Sequence, residues 1–125
     1  MGTHDEYLKG LLQQIDDSHT VLTNLNDKSG DLEIIKRDLA KITGLLQVLS
    51  NKIQSNEQDL SEYLYLVSPV QFFLANYDFF REIDTMTPLY SEDPMRLKNM
   101  RLTILDALDQ KNLIGHIKAI LREHH

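Results

Sequence analysis

Residues 32–67 read LEIIKRDLAKITGLLQVLSNKIQSNEQDLSEYLYLV and carry the clearest pattern in the chain. Leu32, Leu39, Leu46, Ile53 and Leu60 recur every seven residues. Ile35, Ile42, Leu49, Asn56 and Tyr63 fill the second apolar position of the same heptad. A seven-residue apolar repeat held this long implies a helix that buries a seam against other helices. The phase continues to Val67, so the pattern predicts one helix over residues 32–67, about 50 Å long at about 1.5 Å per residue. A break at Ser55-Asn56 is the alternative, because Ser55 can cap a new helix. Asn56 in the seam otherwise reads as a residue that sets register or partner number at some cost in stability.

The flanking segments are shorter variations on this theme. Thr3 and Glu6 form a capping box at the start of a first helix. Leu8, Leu11, Leu12, Ile15, Leu22 and Leu25 form its stripe, interrupted by Ser18 and His19. Residues 26–31, NDKSGD, have the composition of a turn. Downstream, Ser68-Pro69 pairs a good N-cap with a residue suited to the first helical position. It predicts a third helix over residues 69–83, with Val70, Phe73, Tyr77 and Phe80 on one face and Phe72, Phe79 and Ile83 on a second. Residues 85–93, which include Pro88, read as a loop. Asp93-Pro94 repeats the cap-plus-proline start for a helix over residues 94–108, and a last helix follows over residues 113–122. The fold class expected is all-α: an antiparallel bundle of about five helices in one domain. Heptad helices fill residues 1–67 and shorter, aromatic-rich helices residues 68–125.

Composition narrows the function. The 125 residues include no cysteine, which excludes disulfide frameworks, zinc ribbons, thiol nucleophiles and iron–sulfur clusters. Nineteen Asp and Glu against 13 Lys and Arg give a net charge of −6, the wrong sign for a nucleic-acid footprint. No apolar run of membrane-spanning length and no signal-peptide core is visible. Position 6 is Glu6 where a myristoylation signal needs Ser or Thr. None of the five histidines stands in a Glu-x-x-His or His-x-x-x-His motif, and the five glycines are scattered singly, so no phosphate loop forms. Asp16-Asp17 and Glu92-Asp93 read as solvated or capping acids, and Arg96, Lys98 and Arg101 as a solvated basic face. The expectation is a protein that is not an enzyme and needs no cofactor or metal.

The aromatic stretch is the best candidate for a site. Tyr63, Tyr65, Phe72, Phe73, Tyr77, Phe79 and Phe80 fall within eighteen positions. Aromatic side chains dominate the energetics of interface centres. The second face, Phe72, Phe79 and Ile83, with Tyr65 or Tyr90 at its rim, is the expected partner-binding surface unless Ile104, Leu105, Ile117 and Leu121 cover it.

A long heptad run followed by SPVQFFLANYDFF at residues 68–80 and a later helix pair resembles, in organisation, the subunits of multisubunit vesicle-tethering complexes such as the conserved oligomeric Golgi complex and the exocyst. The resemblance covers most of the chain but no diagnostic motif. It implies a cytoplasmic protein, peripheral on Golgi or vesicle membranes through other helical subunits, with no catalytic residues. The same pattern also suits a helical assembly subunit or chaperone-like adaptor of another complex, such as a kinetochore or secretion system. A small-molecule site among the aromatics is a third reading. Because the long helix has neighbours on both sides in sequence, its seam can close within one chain, and a monomer is expected.

Overall fold

The computed structural model describes residues 3–55 and 61–123. Within them the chain forms six α-helices: α1 (Thr3–Asn24), α2 (Asp31–Ser55), α3 (Val67–Asn76), α4 (Phe80–Tyr90), α5 (Pro94–Asp109) and α6 (Leu113–Glu123). Two 3₁₀ segments, Ser61–Leu66 and Gln110–Asn112, lead into α3 and α6. No strand occurs among the described residues.

Helix α2 is the hub. Its seam residues Leu32, Ile35, Leu39, Ile42, Leu46, Leu49 and Ile53 are each no more than 2% exposed. It packs along α1 and also meets α3, α4, α5 and the 3₁₀ segment Ser61–Leu66. Helix α1 offers Leu8, Leu11, Leu12, Ile15 and Leu22 to the same core and also touches α5 and α6.

The single helix expected over residues 32–67 is corrected. Helix α2 ends at Ser55, whose hydroxyl donates back to the Asn51 carbonyl at 2.8 Å. Asn56 and Leu60 lie outside the described residues. Where the chain resumes it is a 3₁₀ helix, with about three residues per turn. Burial follows that period: Tyr63 and Leu66 are buried while Leu64 and Tyr65 between them are exposed. Ser68 is therefore no N-cap, because the 3₁₀ segment runs directly into α3. Pro69 still fits, since it lies in the first turn, where a missing N–H forfeits no intrahelical bond.

The helix expected over residues 69–83 is also broken. Asn76 turns its side-chain amide back to the Phe72 carbonyl at 2.9 Å. Tyr77 is extended, with φ −129° and ψ 132°. The Asp78 carboxylate then accepts the Phe80 N–H at 3.2 Å and starts α4. Short polar side chains that compete for backbone groups cause this kind of interruption. The expected loop at residues 85–93 is mostly α4, which carries Pro88 inside its last turn. Only the short link after Tyr90 is non-helical, and there Asp93 caps α5 by accepting from the N–H groups of Met95 and Arg96.

One buried cation ties the bundle's turn to its body. The Arg101 guanidinium, on α5, grips Asp27 with both carboxylate oxygens, at 2.8 and 3.0 Å. Its remaining nitrogen donates to the Leu22 and Thr23 carbonyls at 3.2 and 3.3 Å, capping the last turn of α1. The turn itself needs left-handed backbone at Asp27 (φ 61°) and Gly30 (φ 94°). A bidentate, charge-assisted pair is the geometry in which Arg holds a carboxylate best.

Two consequences can be measured. Leu46→Ala should cost about 2–5 kcal/mol in chemical denaturation, since it hollows the centre of the α2 seam. Hydrogen bonding from Arg101 holds the Asp27 carboxyl below its ordinary value of 3.8. A depressed carboxyl pKa stabilises the fold above the unfolded value, and that stability is lost as pH falls through the folded value. The stability difference between the wild type and Asp27→Asn should therefore be largest near neutral pH and shrink below about pH 4.

Candidate interaction surface

The aromatic residues singled out from the sequence divide among three places. Phe79 is 6% exposed and Ile83 fully buried, so neither presents a surface; this corrects the expected second face. The break at Tyr77 removes the common helical register on which that face depended. Helix α4, which carries Ile83, packs chiefly on α2. Phe79 stacks on Tyr77, with ring centroids 5.7 Å apart and planes 11° from parallel.

Phe72 and Tyr65 remain accessible on the flank that faces the end of the chain. Phe72 is half-buried, with the Lys111 ammonium 5.1 Å from its ring centroid. Tyr65 is 73% exposed and stacks on His116 of α6, with centroids 6.5 Å apart. Lys111 and Asn112 approach this flank in left-handed conformations that kink the chain into α6. A Cβ at Gly115 would meet the Asn112 side-chain amide, which now lies against the glycine and would have to move aside. Tyr90 lies elsewhere, at the α4–α5 corner, where the Arg96 guanidinium sits 4.0 Å over its ring.

That corner opens a groove the sequence reading missed. Helices α4 and α5 are separated by only three residues, yet they make little contact with one another. Between them runs an open cleft of about 490 Å³. Met86 and Met100 supply its apolar lining, and Thr85, Asn99 and Thr103 share the lining with the charged Arg81, Glu82 and Arg96. At the corner Leu89 and Met95 stand 68% and 64% exposed. Methionine-lined grooves accept varied apolar side chains because the thioether chain repacks easily. The signal was present in Ile83, Met86 and Leu89, spaced by three, but Pro88 made the segment read as a loop.

The remaining polar groups form crosslinks. Lys36 of α2 reaches Asp84 of α4 at 3.2 Å, and Ser29 donates to Glu92 at 2.7 Å. Lys118 of α6 reaches Asp16 of α1 at 2.7 Å. Half-buried His19 is pushed below its ordinary 6.5 by burial, and by Lys118 secondarily. Among the described residues no three His, Asp or Glu side chains converge as a metal site, and no described helix is long and apolar enough to cross a membrane.

No protein-family model matches the chain, nor does any curated protein or solved structure.

The placement separates surface from core in a way stability measurements read directly. Ile83→Ala should lose about 2–5 kcal/mol, because Ile83 is the one buried residue of α4. Leu89→Ser and Met95→Ser should each stay within about 0.5 kcal/mol of the parent, as exposed positions do.

Proposed function

We propose that the protein is a non-enzymatic helical interaction module that joins another helical subunit through the α4–α5 groove. The observation that carries this reading is the groove itself. It is an open cleft in which Met86 and Met100 stand among polar and charged side chains, and Leu89 and Met95 are exposed at the ends of the same two helices, on a bundle whose other large apolar side chains are mostly interior. Amphipathic helices dock into such grooves by placing apolar residues at helical spacing along them. Exposed apolar surface of this kind on a folded protein marks a partner site.

In its narrower form, the partner belongs to a vesicle-tethering complex on the cytoplasmic side of Golgi or vesicle membranes. The support for this is the order of elements alone: heptad helices first, then shorter aromatic-rich ones. In the same reading α1 and α2 pair as an antiparallel coiled-coil-like hairpin. The heptad seam then closes within one chain, which makes the isolated protein a monomer.

The test compares the wild type with the Leu89→Ser/Met95→Ser double variant, both immobilised and exposed to cell extract. The wild type should retain one or more helical subunits of a tethering complex, and the variant, with an unchanged melting temperature, should lose them. Retention of the same proteins by both would contradict the groove. Loss of a specific partner unrelated to tethering would keep the groove and refute the narrower form. A stable dimer by light scattering at micromolar concentration would refute the closed seam.

A further inference from the structure

A second cavity, on the opposite side of α4, has a different chemistry. Leu39, Thr43 and Gln47 follow one another at four-residue spacing along a ridge of α2. They face the α3–α4 junction across a cleft of about 250 Å³. Leu39 and Phe73 are buried in its base, and half-buried Tyr77 and Phe80 form its aromatic walls. The stacking of Tyr77 on Phe79 and its tilted contact with Phe73, centroids 5.6 Å apart, hold the tyrosine ring in place. Of the described residues that line the cleft, Asp78 alone is charged.

Asp78 is anchored as well as charged. One of its oxygens accepts the Phe80 N–H, which fixes the carboxylate at the start of α4. Its other oxygen is uncommitted within the protein among the described residues. Thr43 and Gln47 add neutral hydrogen-bonding groups. The helix break at residues 77–79 therefore brings aromatic rings and one carboxylate to a single small cleft.

Aromatic faces attract cations through their quadrupole, and alkylated ammonium groups are the cations that combine charge with apolar surface. A cleft of about 250 Å³, just below the usual range for ligand sites, suits a headgroup rather than a large molecule. The geometry points to a binding site for an alkylated ammonium group in the cleft bounded by Tyr77, Phe80 and Asp78. It does not depend on the α4–α5 groove. The ammonium can come from a free small molecule or from a methylated lysine side chain, and both present the same chemistry.

The experiment is a nuclear magnetic resonance titration of the full chain, following backbone amides. Choline is one probe, 3,3-dimethyl-1-butanol is its neutral counterpart, and a short trimethyllysine peptide is the third. Choline should shift the amides of Thr43, Gln47, Tyr77 and Phe80, and the neutral alcohol should bind about tenfold more weakly. Asp78→Asn keeps an oxygen for the Phe80 N–H, so its melting temperature should hold while choline binding weakens about tenfold. Tighter binding of the peptide identifies a modified lysine as the source, and equal or weaker binding identifies a free amine. Equal binding of choline and the alcohol, an Asp78→Asn variant that binds unchanged, shifts confined to other residues, or no shifts at all would each overturn the assignment.

Discussion

A helix of 25 residues whose apolar stripe is sealed from end to end is the constraint under which the rest of this chain folds. No single neighbour can cover such a stripe, so α2 draws α1, α3, α4, α5 and a 3₁₀ segment around itself. Burying one Leu or Ile side chain contributes about 1.5–3 kcal/mol, and seven such residues outweigh any local preference. This explains why local departures from helical regularity are tolerated. Gly44, at an exposed position of α2, costs about 1 kcal/mol against alanine, and the surrounding burial absorbs it.

Electrostatics does a different job. The chain is acidic overall, and its buried charged groups are few and partnered. Asp31 accepts the Lys28 N–H at 3.1 Å, and Asp38 accepts from Arg37 at 2.8 Å. Arg101 meets both the Asp27 carboxylate and the open end of α1. A buried pair of this kind adds little net stability over apolar packing, but losing one partner is costly. Its effect is positional: the turn between α1 and α2 is held against α5, which fixes the relation of the heptad helices to the last part of the chain.

How much could be read beforehand follows from which forces act locally. The seam residues were legible because burial on α2 obeys one period and nothing interrupts it before Ser55. The start of α5 was legible because Asp93-Pro94 is a short-range signal. The continuation over residues 61–66 misled, since Tyr63 falls at the correct heptad position by arithmetic while its backbone follows a three-residue period. Asn76 and Asp78 were overlooked as interrupters because the aromatic spacing around them looked helical. The candidate surface suffered most: Phe79 and Ile83 went to the core, and the α4–α5 groove depends on how two helices splay, which no local pattern encodes.

The same architecture bears on the proposed function. Helix α4 has one fully buried side chain, Ile83, and rests mainly on α2, while its other faces line the groove and the aromatic cleft. Weakly packed elements open at lower free energy than the core, and binding elements are drawn from that end. Native-state hydrogen exchange tests this directly. The amides of Ile35 to Leu49 should exchange only by global unfolding, with the same free energy as denaturation. Those of α4 should exchange through a local opening at least about 2 kcal/mol lower. Equal protection of α2 and α4, or an α2 that opens before α4, would contradict the view that one sealed helix organises the fold and leaves α4 available to partners.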